Sequence, residues 1–216
     1  MRSRLIINPV AGRDRGPELA EWLRERLARR FGDVDLVTTS AEGDARRAGH
    51  EAAAGHFDYV FVAGGDGTLN ETLNGVLAHS SGSGVTLGIV PLGTGNDFAA
   101  ALGIPESLDD ALEALGARRS RPVDVGRLNG EHFVNVSAGG FIAEVSDAVT
   151  PQLKTIAGKL AYLIGGAQAL LRHEPIDVRY RSGATTGRST LETFAVCNAQ
   201  LVGGGRLIAP DAVLDD

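Results

Sequence analysis

The chain has 216 residues, of which 43% are hydrophobic and 22% charged, a composition typical of a folded globular protein. Its formal net charge of −6 argues against a general nucleic-acid-binding protein. The single cysteine, Cys197, excludes an internal disulfide and favours a reducing, cytoplasmic setting.

The first 115 or so residues alternate short apolar strands with amphipathic helices. Strands are predicted at 4–8, 33–39, 58–63 and 85–93, and helices at 16–31, 43–55, 68–79, 96–104 and 107–116. Strands that are apolar along their whole length and alternate with helices predict a parallel sheet covered on both faces. We therefore predict an α/β, Rossmann-like domain over residues 1–120.

The pattern changes near Arg121, where a second, β-rich domain is predicted over residues 121–216. Asn129-Gly130 lies between two apolar runs and predicts a tight hairpin. A helix and two further strands are predicted at 154–172, 176–183 and 190–199. Since these strands are too few to close a sheet, we expect the chain to belong to a longer protein. Their unpaired edges also permit a homodimer.

A membrane-spanning segment is not expected. The longest uncharged apolar stretch in the second half, residues 160–171, is too short to cross a bilayer. The N-terminal residues turn polar too soon to form a secretory signal.

Three glycine-bearing loops follow the first, third and fourth predicted strands: NPVAGR at 8–13, GGDGTLNE at 64–71 and PLGTGNDF at 91–98. The carboxyl ends of parallel strands lie along one edge of a sheet, where ligands bind. Because glycines let backbone amides approach an anion, these loops predict a polyphosphate site, with Thr68 and Thr94 adding hydroxyls. Neither a Walker A motif nor an opening GxGxxG is present. The alternative is that each loop is only a turn and a helix cap, with Thr68 and Glu71 forming a capping box.

Three aspartates call for separate explanations. Asp66 lies between glycines in a predicted loop, where no turn requires an acid, so it is a candidate for Mg²⁺ coordination or proton abstraction. Asp97 is expected to cap its own helix. Asp124 falls inside a predicted apolar strand, where burial would require a metal–water or backbone network around it.

Together, these motifs resemble the diacylglycerol kinase catalytic domain, and more narrowly the soluble bacterial lipid kinases related to sphingosine and ceramide kinases. The resemblance continues through VDVG at 123–126, FVNVSAGGF at 133–141 and GGGRLIAPDAVLDD at 203–216, so it covers essentially the whole chain. It implies an ATP-dependent kinase that phosphorylates the hydroxyl of a lipid such as diacylglycerol. It also implies a cytoplasmic protein, peripheral at the membrane, with ATP between the α/β domain and a β-sandwich domain.

The resemblance also implies roles for individual residues. A structural Mg²⁺ would be held by Val213 and Asp216, to which we add Asp124, while Asp66 is our own candidate for the catalytic residue. The family's proposed general base lies in a DGE-like motif beyond Asp216, so we expect the 216-residue chain alone to be inactive or very weak. The implied ATP contacts are Asn8, Pro9, Val10, Ala11, Gly12, Thr39, Gly65, Asp66, Gly67, Thr68, Leu69, Asn70, Glu71 and Thr94, to which we add Gly64, Gly93, Gly95 and Asn96 from the same loops.

Two alternative functions stay open at this point. An NAD kinase is one, because GGDGT also occurs there and in phosphofructokinases, although NPVAG and PLGTGND favour the lipid kinases. The other is a nucleotide-binding module without catalysis. The motifs do not tell which lipid would be the acceptor.

Overall fold

The computed structural model describes residues 1–11, 18–79, 84–140, 174–182 and 185–216. The chain divides into two compact units, one formed by Met1–Asn135 with Cys197–Asp216 and the other by Val136–Val196. The domain boundary near residue 120 stays a prediction. The predicted helix at 154–172 lies outside the described residues.

The first unit contains a four-stranded parallel sheet, as the sequence predicts, with the strand order β2-β1-β3-β4. Its strands are β1 (Ser3–Ile7), β2 (Val34–Thr38), β3 (Tyr59–Gly64) and β4 (Thr86–Pro91). Ile7 pairs with Ala63, and Gly64 pairs with Pro91. The carboxyl ends of the strands are therefore level with one another along one edge of the sheet.

Helices accompany the strands along the chain: α1 (Glu18–Phe31), α2 (Asp44–Ala54), α3 (Asp66–His79), α4 (Asp97–Ala101) and α5 (Leu108–Gly116). Neighbouring residues of β3 belong to two separate apolar cores. Val60 and Val62 pack with residues of α2 and α3, whereas Phe61 and Ala63 pack with residues of α1 and α5. The prediction of a sheet covered on both faces is thus confirmed.

Helices α2 and α3 pack with their backbones unusually close together. A Cβ built on Gly49 of α2 would lie 2.5 Å from the carbonyl oxygen of Thr72, and one on Gly75 of α3 would overlap the carbonyl of Arg46. Glycine is the residue that permits such an approach. This packing fixes α3, whose N-terminus lies at the carboxyl edge of the sheet.

The remaining strands form four two-stranded sheets within the described residues. They are β5 (Gly126–Leu128) with β6 (Glu131–Phe133), β7 (Val136–Gly140) with β10 (Thr193–Cys197), β8 (Ile176–Ser182) with β9 (Thr185–Leu191), and β11 (Leu201–Val202) with β12 (Arg206–Leu207). Asn129 and Gly130 connect β5 to β6 with φ of 52° and 93°, the left-handed pair of a tight hairpin. The predicted hairpin and β-rich second half are confirmed.

Several element boundaries differ from the sequence prediction. The single strand predicted at 190–199 is wrong, because the chain leaves β9 at Leu191 to pair with β7 from Thr193 onward. The third helix begins at Asp66 instead of Thr68, and α4 ends at Ala101. In the described part of the chain, no helix is both long and apolar enough to cross a membrane.

Candidate active site

The predicted loops meet at the carboxyl edge of the parallel sheet. The loops after β1, β2 and β4 each begin with one further backbone hydrogen bond that extends the sheet pairing past the strand end. The amide of Asn8 donates to the carbonyl of Ala63, that of Thr39 to Ile7, and that of Leu92 to Gly64, each at 2.9 Å. These three loops therefore start from fixed positions at one edge.

The loops after β3 and β4 cross with their backbones in close contact. A Cβ on Gly65 would lie 3.2 Å from the Cα of Gly93, and a Cβ on Gly64 would lie 2.6 Å from the hydroxyl of Thr68. These contacts leave no room for a side chain at Gly64 and little room for one at Gly65. Gly67 is different, because a Cβ there would meet no atom within 4 Å and the residue is exposed in the first turn of α3. The protein gives no steric reason for glycine at position 67.

Asn8 ties the loop after β1 to α3. Its side-chain amide donates to the Thr68 hydroxyl at 3.4 Å, and its side-chain oxygen accepts from the Val10 amide at 3.1 Å. Pro9 and Ala11 lie in the same turn, in which the Ala11 amide donates to the Asn8 carbonyl at 3.2 Å. Val10 is 74% exposed at the tip of this turn, whereas Gly12 lies outside the described residues.

The loop between β4 and α4 is closed by Asn96, which has a φ of 51°. Its side-chain oxygen accepts from the Gly93 amide at 2.9 Å, and its side-chain nitrogen donates to the Gly93 carbonyl at 2.8 Å. These bonds leave Thr94 exposed at the tip of the loop and Gly95 half-buried beside it. The exposed Thr94 hydroxyl is available to a ligand.

Asp66 has a structural role that the sequence reading missed. One carboxylate oxygen accepts from the amide of Asp97 and the other from the amide of Phe98, each at 3.2 Å. Asp66 therefore caps α4, and it is the first residue of α3, so the expectation of an acid in a loop without a structural partner is wrong. Its catalytic role stays a prediction.

The expectation that Asp97 caps its own helix is also wrong. Its carboxylate, only 5% exposed, accepts from the Gly204 amide at 2.9 Å and from the Gly205 amide at 2.7 Å. The turn that supplies these donors joins β11 to β12 and was not among the predicted site residues. Its signal in the sequence is the run of three glycines at 203–205, each with positive φ.

The capping box proposed for Thr68 and Glu71 is wrong, because α3 begins before Thr68. Glu71 instead accepts from the Gly43 amide at 3.0 Å and so holds the loop between Thr39 and α2. Leu69 is 4% exposed in the apolar core, so its side chain is not free to contact a ligand. The Asn70 carbonyl accepts from the side chain of Asn74 at 2.9 Å, within α3.

Comparison with known families gives a consistent result along the chain. Residues 2–128 match the diacylglycerol kinase catalytic domain, and residues 135–216 match the YegS C-terminal NAD kinase beta sandwich-like domain. The chain belongs to the diacylglycerol kinase family. This confirms the family resemblance inferred from the glycine loops.

Named relatives of this diacylglycerol kinase family member match its whole length. The diacylglycerol kinase of Bacillus subtilis is 36% identical over 100% of this chain and 71% of its own length. That of Staphylococcus carnosus is 32% identical over 100% of this chain and 70% of its own. A crystal structure of a diacylglycerol kinase from Bacillus anthracis is 29% identical, with a TM-score of 0.77 over 100% of this chain and 70% of that one.

The metal residues predicted for this diacylglycerol kinase family member lie on two backbone segments that contact each other. The amide of Asp124 donates to the carbonyl of Leu214 at 2.6 Å, and the carbonyl of Asp124 accepts from Asn198 at 2.8 Å. Asp124 is exposed and precedes β5, so its predicted burial within a strand is wrong, although the backbone network is present. Val213 and Asp216 are also exposed, on either side of Leu214.

The chemistry of these donors is compatible with magnesium. A backbone carbonyl and two carboxylates are hard oxygen donors, which Mg²⁺ prefers. Among the described residues, however, no three His, Cys, Asp or Glu side chains are grouped as metal ligands. The metal role of Val213, Asp216 and Asp124 therefore stays a prediction.

Two depressions in the surface lie at opposite edges of the sheet. A small pocket at the carboxyl edge is lined by Gly64, Gly65, Asp66 and Asn96, among others. A larger groove of about 320 Å³ lies between α1 and α5 and is lined by Arg26, Arg29 and other residues. That groove includes Phe31, close to the start of β2, and so lies at the opposite edge of the sheet. The glycine loops, and not the larger groove, define the candidate site.

Proposed function

We propose that this protein transfers the γ-phosphoryl group of ATP to a lipid hydroxyl, with diacylglycerol as the acceptor class, at a membrane surface. The observation that carries the proposal is the crossing of Gly65 and Gly93, which leaves backbone at the sheet edge where side chains would otherwise stand. Membership of a family whose members are named diacylglycerol kinases supports this choice of reaction. It also favours a lipid acceptor over NAD⁺.

The loops at the sheet edge would hold the nucleotide. The start of α3 and the loop at 93–96 offer amides and the exposed Thr94 hydroxyl to phosphate oxygens. The turn at residues 8–11 lies beside them, with its own amides bonded within the protein. Because Asn8 and Asn96 fix two of these loops through their own hydrogen bonds, the donors are in place before a ligand arrives. Pre-positioned donors at the transferring phosphoryl group are a main source of catalysis in this reaction.

Asp66 would act on the acceptor. In the transfer, the lipid hydroxyl oxygen forms a bond to the γ-phosphorus, the bond from that phosphorus to the β,γ-bridging oxygen breaks, and the hydroxyl loses its proton. Each Asp66 oxygen accepts one amide and keeps a further lone pair, so the carboxylate retains the capacity to orient the hydroxyl. The same carboxylate is the candidate acceptor of the hydroxyl proton.

Magnesium would neutralise charge on the phosphates and on the developing leaving group. Asp124, Val213 and Asp216 form the oxygen donor set that we propose for a structural ion. The protein would associate with the membrane surface, because the acceptor lipid resides in the bilayer, and this association would be peripheral.

The test measures binding and transfer separately. ATP binding to this chain is measured by calorimetry, and transfer from labelled ATP to diacylglycerol in mixed vesicles is measured with the product of the complete reading frame. We expect ATP binding, labelled phosphatidate, and loss of product with Asp66→Asn but not with Asp110→Asn, an exposed acid on α5. Labelled NADP⁺ from NAD⁺ would show an NAD kinase instead, and ATP binding without transfer would show a non-catalytic nucleotide module.

A further inference from the structure

We infer that Asp97 is a positioning residue, which fastens the Gly203–Gly205 turn to the start of α4 and, through it, to Asp66. The inference rests on the proposed kinase function and adds to it a turn that lies over a hundred residues further along the chain. Asp97 and Gly204 are 107 residues apart in sequence, and both belong to the unit that contains the parallel sheet.

The first step is the contact itself. One Asp97 oxygen accepts from both Gly204 and Gly205, at 2.9 and 2.7 Å, and the other oxygen lies 3.2 Å from the Gly204 amide. Hydrogen bonds from backbone amides to a carboxylate are shorter and stronger than those between neutral groups. With Asp97 only 5% exposed, water cannot easily replace these donors.

The second step is the nature of the turn. Gly203, Gly204 and Gly205 have φ values of 64°, 86° and 87°, and a Cβ on any of them would meet nothing within 4 Å. Glycines in open space lose much conformational freedom on folding and have little packing to hold them. The carboxylate of Asp97 is thus a principal contact that fixes this turn.

The third step connects the turn to the candidate catalytic acid. The backbone amide of Asp97 donates to the Asp66 carboxylate, and the side-chain carboxylate of Asp97 accepts from the Gly204 amide. Asp97 therefore contacts both the candidate catalytic acid and the turn. Gly95 lies between the two acids, since its Cβ would be 3.3 Å from an Asp66 oxygen and 3.4 Å from an Asp97 oxygen. The Asp66 carboxylate and the turn are therefore both hydrogen-bonded to Asp97.

The arrangement predicts a specific kinetic signature. Nucleotide contacts at residues 8–11 and 93–96 are held by Asn8 and Asn96 and do not need Asp97. The position of Asp66 relative to the turn does need it. Loss of Asp97 should therefore lower kcat while the KM for ATP changes little, because misplacement by about 1 Å can reduce turnover about 100-fold.

The test compares Asp97→Ala and Asp97→Asn with Asp110→Asn, which removes the same charge from the first turn of α5. We call the hydrogen bonds from the Gly204 and Gly205 amides to Asp97 the clamp. Amide hydrogen exchange at these two glycines reports on the clamp directly, and lipid kinase assays on the complete protein give kcat and KM. We expect Asp97→Ala to speed exchange at both glycines at least tenfold and to lower kcat at least tenfold, with KM for ATP changed less than threefold. Asp97→Asn keeps one acceptor oxygen and should fall between.

The outcomes separate the clamp from the proposed function. Unchanged exchange at Gly204 and Gly205 in Asp97→Ala, or a wild-type kcat despite faster exchange, would overturn the inference. Should Asp97→Ala fail to fold, Asp97→Asn decides the matter by the same two measurements. A wild-type protein that transfers phosphate to no lipid would instead refute the proposed function, and with it the kinetic role of Asp97, whether or not exchange shows that the clamp exists.

Discussion

Gly65 and Gly93 cross so closely that a Cβ built on Gly93 would lie 2.5 Å from the Cα of Gly65 and 2.8 Å from the side-chain oxygen of Asn96. The two loops that carry GGDGT and PLGTG are therefore packed backbone to backbone. Their amides can approach a phosphate only while both residues lack a side chain. The same contact therefore serves both the packing of the sheet edge and its proposed role in nucleotide binding.

Gly93→Ala tests this crossing. The added methyl group must displace the backbone of Gly65, which is costly because backbone cannot rotate away. Overpacking of this kind costs about 1–3 kcal/mol of unfolding free energy. We also expect at least a tenfold loss of ATP affinity by calorimetry. A variant that binds ATP as the wild type does would show that the crossing is not part of the nucleotide site.

Gly67→Ala should have the opposite effect on stability. Its Cβ would meet no atom within 4 Å, and alanine is favoured over glycine in a helix by up to about 1 kcal/mol. We expect urea unfolding to show equal or greater stability, together with weaker ATP binding, because the methyl group would occupy the exposed edge at the start of α3. Unchanged ATP binding would place the nucleotide away from Gly67.

The sequence predicted the parallel sheet and the edge at which its loops meet, because apolar runs and glycines are local signals. It did not predict what Asp66 and Asp97 bind. Asp66 bonds to amides 31 and 32 residues away, and Asp97 to amides 107 and 108 residues away. The local sequence around a carboxylate among glycines does not show whether the carboxylate binds a ligand or caps a distant helix. Only the folded chain distinguishes these uses.

Asp66→Ala should therefore cost stability as well as activity. It removes the acceptor for the amides of Asp97 and Phe98, and loss of a helix cap costs about 1 kcal/mol. If Asp66 also takes part in proton transfer, turnover should fall by about 10²–10⁴-fold. Urea unfolding and lipid kinase assays measure the two effects. Near wild-type activity in the folded variant would leave Asp66 with the capping role alone.

Asp44 makes the stability of the loop after Thr39 depend on pH. Its carboxylate accepts from the Ser40 amide and hydroxyl at 2.8 and 2.9 Å, from the Ala41 amide at 3.0 Å and from Arg47 at 2.8 Å. The backbone and side chain of Ser40, then Ala41 and Arg47, hold the pKa of Asp44 well below its usual value. A lowered pKa in the folded state stabilises the protein above the unfolded-state pKa of about 4, and this contribution is lost progressively as the pH falls below it.

Asp44→Asn should accordingly lower the unfolding free energy at pH 7 and reduce the loss of stability between about pH 4 and pH 2. The difference between wild type and variant should be constant above about pH 5 and shrink as the solution is acidified. Urea unfolding at a series of pH values measures it, with Asp110→Asn, an exposed residue of α5, as the control for charge removal. A difference that stays constant down to pH 2 would mean that Asp44 does not link this loop to proton binding.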